Sequence, residues 1–327
     1  MTATRPRAKL SLAALDAAAR NVYAVMPPTP QYAWPLLARR AGREVWVKHE
    51  NHTPTGAFKV RGGLNLLAEI AASRSAPSGI ISATRGNHGQ SLAFAARRHG
   101  VRCVIVVPHG NSADKNAAMR AFGAELIEHG RDFDEARERA AVVAREQALR
   151  FVGPFEPELV AGVGTYAVEL FRAVADLDCV YVPIGCGSGI CGLIGARDAL
   201  GLATRIVGVV SAHANAYAQS FAARRPIATA SADTLADGMA VRVPVEAALE
   251  VIWKGAERIV EVTDAEVEDA MRACFSDMHQ VAEGAGAAPL AALLKEGERA
   301  GRRAAVVLSG GNVDRDAYVR ALAGGWS

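Results

Sequence analysis

Short apolar runs alternate along this chain with longer stretches of helical period, and three of the runs end in a glycine-containing loop that leads straight into a helix. The runs fall at residues 44–48, 79–82, 101–108, 125–128, 151–153, 179–184, 206–211, 259–262 and 304–308. Several are continuous Val/Ile/Ala stretches (VIVV, IVGVV, AVVL) and not alternations of apolar with polar residues. Strands that read this way are buried on both faces, as in parallel sheets covered by helices. The Ala-, Glu- and Arg-rich stretch 132–147 predicts a helix, and so does 264–279, where Thr263 is followed three residues on by Glu266 at capping-box spacing. Strands and helices in alternation, with short connections, predict an α/β fold with largely parallel sheets. Such sheets hold ligands outside the carboxyl ends of their strands, which is where the three glycine loops lie.

At 327 residues the chain has room for two domains. It shows no internal repeat, low-complexity segment or linker, so the domains are expected to be interleaved: a smaller unit at 75–158 inserted into a larger one made of 1–74 and 159–327. A chain that is 50% hydrophobic and 22% charged can bury a sizeable core and is not disordered. A net charge of +3 without a basic block argues against a nucleic-acid partner, and no apolar run is long enough for a membrane span. The basic N-terminus runs into an apolar stretch interrupted by Asp16, with no clear cleavage site after it. It reads as an amphipathic helix and not a signal peptide, which makes the cytoplasm the expected compartment. The 5 cysteines are an odd number without paired spacing, and Cys186 and Cys191 are wrongly spaced for zinc. They are expected to behave as small apolar residues, and no metal site is expected.

Four segments carry candidate chemistry. In 50–62 a turn rich in Thr, Pro and Gly enters a helix with Lys59 near its start, behind Phe58. The positive end of a helix and burial both disfavour an ammonium, and an amine of lowered pKa is what Schiff-base chemistry needs; a surface lysine snorkelling from a first turn would read the same way. In 82–90, SATRGNHGQ follows a strand and opens a helix whose free N–H groups suit an anion. An ordinary N-cap and turn is the alternative. In 185–189, GCGSG joins a strand to a helix as a phosphate cradle does, although it is neither a Walker A loop nor a clean GxGxxG. SGGNV at 309–313 ends the last strand and taken alone is a turn.

Together, in this order and spacing, the four segments resemble the fold-type II pyridoxal-phosphate enzymes, in their serine/threonine dehydratase and serine racemase branch. The resemblance runs from about residue 32 to about residue 314. TGAFKVRGG looks like the Schiff-base lysine motif, SATRGNHGQS like the substrate-carboxylate loop, GCGSGI like the phosphate loop and SGGNVD like the pyridine-nitrogen loop. The resemblance implies a tryptophan-synthase-β-like fold of two three-layer α/β/α domains, pyridoxal 5′-phosphate as cofactor, an amino-acid substrate and a homodimer. It implies that Lys59 carries the cofactor and shuttles the Cα proton. It further implies that Phe58 packs on the ring, Asn87 bonds the ring oxygen, and the N–H groups of Gly185, Cys186, Gly187, Ser188 and Gly189 hold the phosphate. Ser309 would face the pyridine nitrogen, Glu283 would sit beside the cofactor, and Ser82, Thr84, Arg85, Gly86, Asn87 and His88 would hold the substrate. A serine facing the nitrogen does not keep it protonated, which weakens the ring as an electron sink and favours loss of a β-leaving group over transamination.

The expected activity is therefore β-elimination of water from a threonine- or serine-type amino acid, giving a 2-oxo acid and ammonia. The departures from the family pattern bear on this. Arg85 replaces the serine that acts as opposite-face acid in serine racemase, which puts racemisation in doubt. Its guanidinium could clamp a second carboxylate, as in 3-hydroxyaspartate, or could simply lie at the surface. The acidic ligands of the family's cation site are missing from SAHANAY at 211–217. The phosphate loop carries Cys186 and Ser188 where glycines are usual. The chain ends shortly after SGGNVD, so no C-terminal regulatory domain is expected.

Overall fold

The computed structural model describes residues 10–74 and 77–324. The first nine residues of the expected N-terminal helix and the expected domain boundary at Ser75 lie outside the described residues. The helix Leu12–Tyr23 starts where the Ser11 hydroxyl accepts from the Ala14 N–H at 3.2 Å, and it buries Leu15, Ala18 and Val22.

The described residues form ten strands: β1 (Gln31–Ala33), β2 (Glu44–His49), β3 (Gly79–Ala83), β4 (Arg102–Val107), β5 (Glu125–Glu128), β6 (Arg150–Phe151), β7 (Cys179–Pro183), β8 (Arg205–Ser211), β9 (Arg258–Val262) and β10 (Arg303–Leu308). Two sheets result, one ordered β1-β2-β10-β7-β8-β9 and the other β5-β4-β3-β6. Every pairing is parallel except β1 with β2 at the edge. The three-residue β1 is the one strand the apolar pattern did not predict, because it is too short and too exposed to leave a signature.

Successive side chains on a strand point to opposite faces, and both faces of each sheet are covered. On β10, Ala304, Val306 and Leu308 enter one core while Ala305 and Val307 enter another. In the smaller sheet, Cys103, Ile105 and Val107 of β4 face one layer and Val104 and Val106 the other. This double burial is why the strands read as unbroken apolar runs, and it makes both sheets α/β/α sandwiches. The core on one side of the smaller sheet takes in Val60, Leu64, Leu67 and Ile70 from the helix Lys59–Ala72. That helix spans the junction between the two sheets, so whatever it carries at its start sits between them.

The helix Asp264–Met278 opens with the expected reciprocal capping box: Glu266 N–H donates to Thr263 Oγ1 at 3.2 Å, and Thr263 N–H to Glu266 Oε2 at 2.8 Å. No helix among the described residues is long and apolar enough to cross a membrane.

Candidate active site

The carboxyl ends of β2, β3, β7 and β10 converge on the junction, and each feeds one of the four segments singled out in the sequence. β2 and β10 run in register to their last residues, His49 beside Leu308, so the segment before Lys59 and the segment after Leu308 emerge side by side. They remain zipped together. Phe58 N–H donates to the Ser309 carbonyl at 2.9 Å, Gly311 N–H to the Gly56 carbonyl at 2.9 Å, and Ala57 bridges Gly310.

Lys59 begins its helix and reaches across to the glycine loop, where its Nζ donates to Ser188 Oγ at 2.9 Å. Burial lowers the pKa of its amine, with neighbouring Cys186 acting the other way. The Phe58 ring lies 5.2 Å from the amine and within 3.5 Å of where a Cβ on Gly189 would be. Tyr166 braces the same corner from beneath, edge-on to Phe58 and donating to the Gly189 carbonyl at 3.0 Å.

The glycine loop leads from β7 into the helix Ser188–Ala199, so Ser188 and Gly189 already belong to the first turn. Its N-terminal N–H groups have no partner within the helix and are able to receive an anion. Gly187 has φ +96°, and a Cβ there would lie 2.5 Å from Ala248 Cβ. A Cβ on Gly185 would lie 2.2 Å from the Gly238 carbonyl oxygen. Glycine is required at both places, whereas the loop takes side chains at Cys186 and Ser188.

From the smaller sheet, β3 delivers residues 84–86 and the helix Asn87–Arg98. Ser82 and Thr84 are buried: the Ser82 hydroxyl donates to the Val152 carbonyl at 2.7 Å, and Thr84 Oγ1 accepts from Gly86 N–H at 3.2 Å. Arg85 is exposed and has no hydrogen-bond or ion-pair partner among the described residues. His88 is buried, and burial with Lys59 nearby pushes it down to about 3, so its imidazole is neutral. Its Nε2 has no hydrogen-bond partner among the described residues.

Asn87 meets two side chains from the larger sheet's surroundings. Its Nδ2 donates to Glu283 Oε1 at 2.7 Å, and its Oδ1 accepts from Asn312 Nδ2 at 2.8 Å. The Glu283 carboxyl is buried and pushed up to about 7 by that burial; Lys115 opposes the rise and Asp237 adds to it. Lys115 pairs with Asp237 and sits against Gly86. The structure thus brings Phe58, Lys59, Asn87, residues 185–189, Glu283 and Ser309 to one junction, with the 82–88 loop alongside. Lys115, Asp237 and Asn312 were missed as site residues, since each acts through partners far away in sequence. Behind the site, Arg61 is wholly buried and forked between Glu50 (Nε to Oε2, 2.7 Å) and Glu169 (Nη1 to Oε1, 2.6 Å), while Lys48 reaches Glu169 Oε2 at 2.6 Å. Two cations and two carboxylates balance there, anchoring the first turn that carries Lys59.

Known proteins resemble this chain over most of its length. The pyridoxal-phosphate dependent enzyme family matches residues 23–310. An L-threonine ammonia-lyase of Thermotoga maritima is 34% identical over 280 residues, which cover 85% of this chain and 70% of that protein. A catabolic L-threonine dehydratase of Staphylococcus aureus is 31% identical over 311 residues, covering 93% of this chain and 90% of the relative. The crystal structure of a T.th. threonine deaminase superposes with a TM-score of 0.87 at 32% identity, covering 93% of this chain and 99% of that one. Against the biosynthetic L-threonine dehydratases it matches, the chain spans 58% of their length. With most of its length matched, this chain belongs to the pyridoxal-phosphate dependent enzyme family.

Proposed function

We propose that this protein is a lyase that eliminates water from a small β-hydroxy amino acid of the threonine or serine type, releasing a 2-oxo acid and ammonia. The observation that carries this reading is the placement of Lys59: an enclosed amine of lowered pKa, hydrogen-bonded to the first turn of a glycine-loop helix, with a serine loop zipped beside it.

The residues fit the family's cofactor. A nucleophilic amine, an anion cradle and an unpartnered amide N–H face one junction, and the cradle has no room for a Cβ at residues 185 and 187. Lys59 would bond the cofactor's carbonyl carbon, residues 185–189 its phosphate, Phe58 one ring face, Asn87 the ring oxygen and Ser309 the ring nitrogen. When bound, the cofactor draws electrons from the substrate and makes its Cα proton acidic. Lys59, set free when the substrate's own amine takes its place, would receive that proton, since burial lowers the pKa of its amine. The N–H groups of the 82–88 loop receive the substrate carboxylate. The β-hydroxyl leaves with a proton as water, and the freed enamine is hydrolysed to the 2-oxo acid and ammonia. Residues 75–158 are read as the small substrate-binding domain, and the active form as a cytoplasmic homodimer.

The test is a 2-oxo-acid and ammonia assay over both enantiomers of serine, threonine, 3-hydroxyaspartate and phenylserine. Turnover of threonine or serine, abolished by Lys59→Ala, is the expected result; substantial activity in that variant would sink the assignment. Preference for 3-hydroxyaspartate, lost in Arg85→Ala, would make Arg85 a carboxylate clamp. Loss of enantiomeric purity in unreacted substrate would point to racemisation instead.

A further inference from the structure

The amide of Asn87 is fixed by a chain of hydrogen bonds whose polarity has one solution. The chain starts at the Thr55 carbonyl, which can only accept. Asn312 Nδ2 donates to it at 2.8 Å, so the atom that Asn312 turns toward Asn87, also at 2.8 Å, is the same NH2 group. Asn87 must answer with its oxygen, and its own NH2 group then faces Glu283 Oε1 at 2.7 Å. An amide NH2 has two hydrogens. One goes to Glu283, and the other has no acceptor among the described residues.

The charges around Glu283 support that polarity. Among the described residues the charged groups that face it are Lys115, from the helix Ala113–Ala121 of the smaller unit, and Asp237, from the turn Asp237–Met239 of the larger one. Asp314, in the segment after β10, faces Lys115, and residues 309–312 bring no titratable side chain. Glu283 Oε2 is buried without a hydrogen-bond partner among the described residues, and Oε1 abuts Gly310, where a Cβ would lie 2.4 Å away. Among the described residues the Glu283 side chain therefore makes its hydrogen bond to Asn87, while Lys115 and Asp237 act on it through charge.

We propose that Asn312 and Glu283 are positioning residues for Asn87, with Lys115 as the countercharge that keeps Glu283 an acceptor, so that one Asn87 N–H is always presented to the ring oxygen of the cofactor. The clamp joins both units, because Asn87 and Lys115 belong to the smaller sheet's helices and Asn312, Glu283 and Asp237 to the larger unit. Closing the two units and orienting the amide are then a single event. The inference rests on the cofactor site of the functional reading above, but not on which amino acid is consumed.

The test is the visible absorption spectrum of cofactor-loaded protein across pH, which reports whether the ring oxygen is ionised or protonated. In Asn312→Asp the new carboxylate can only accept, so Asn87 must flip. At equal loading, the ratio of the two absorption bands is expected to move about tenfold toward the protonated form, the weight of one charge-assisted hydrogen bond. Glu283→Gln should shift the ratio less and abolish the spectral titration near the Glu283 value of about 7. Lys115→Met should move that titration to higher pH, and Lys115→Arg should restore it. If Asn312→Asp does not fold, the other three variants carry the test. Loaded variants with wild-type spectra and titrations, even if less heat-stable, would overturn the proposal and leave these residues as mere struts. Wild-type protein that takes up no cofactor would overturn the functional reading and the clamp together. A loaded protein without eliminase activity, whose variants shift as expected, would overturn the first and keep the second.

Discussion

Replacing Arg61 by methionine is expected to be among the most destabilising single changes in the molecule. Arg61 lies two residues from Lys59, carries a fully buried guanidinium and donates to Glu50, Glu169, Thr165 and Thr29. Methionine matches its stem but leaves two buried carboxylates sharing the single cation Lys48. Removing one partner of a buried ion pair costs about 3–5 kcal/mol, because a desolvated charge is left unanswered. At roughly 2 °C per kcal/mol for a chain of this size, the melting temperature should fall by about 6–10 °C. Arg61→Lys keeps the charge without the fork and should lose roughly half as much. Arg61→Met with Glu50→Gln rebalances the cluster to one cation and one anion, so the double variant should be at least about 1 kcal/mol more stable than the two single losses summed. The pH dependence has a definite sign. Burial alone would raise Glu169, but Arg61 and Lys48 outweigh it and hold its pKa below the usual carboxylate value. A depressed folded value contributes stability that is complete above the ordinary carboxylate pKa and is lost as pH falls through the folded one. The gap between wild type and Arg61→Met should therefore persist at neutral pH and narrow only in acid. Calorimetry of wild type, Arg61→Met, Arg61→Lys, Glu50→Gln and the double variant at neutral and acidic pH decides the matter. An Arg61→Met melting point within about 1 °C of wild type, or strict additivity in the double variant, would refute this account of the buried cluster.

Three further outcomes are expected. Gly187→Ala places a methyl against Ala248 in a left-handed backbone and should weaken cofactor binding at least about tenfold, measured by fluorescence titration, while leaving the far-ultraviolet circular dichroism unchanged. Because burial lowers the Lys59 pKa, stripped protein should take up pyridoxal phosphate at pH values where an exposed lysine is still an unreactive ammonium, with the rate falling as pH drops through the lowered value. A rate that follows an ordinary exposed lysine would contradict the enclosure seen here. Thr263→Ala removes half of a capping box and should cost about 1 kcal/mol, near 2 °C of melting temperature, with kcat and KM unaltered.

The sequence by itself determined the architecture and the four loops. Strands covered on both faces must be apolar throughout, so β3, β4, β7, β8 and β10 announce themselves. A glycine loop that joins a strand to a helix offers free N–H groups suited to an anion, and four segments in this order carry the family resemblance that one alone does not. Lys59 and the 185–189 loop were legible because their function is local: a first-turn amine, a run of backbone N–H groups. Only the tertiary structure decided which residues stand behind them. Arg61, Glu50 and Glu169 carry no local signal, because neutralising a buried guanidinium takes carboxylates from β2's end and from the helix Pro157–Ala173, which are distant in the chain. Asn312, Lys115 and Asp237 are equally silent, since each matters only once the two sheets have closed and their polar groups must find partners out of water. Periodicity and spacing record what a segment does for itself; desolvation sets what segments must do for one another, and that requirement appears only when the chain is folded.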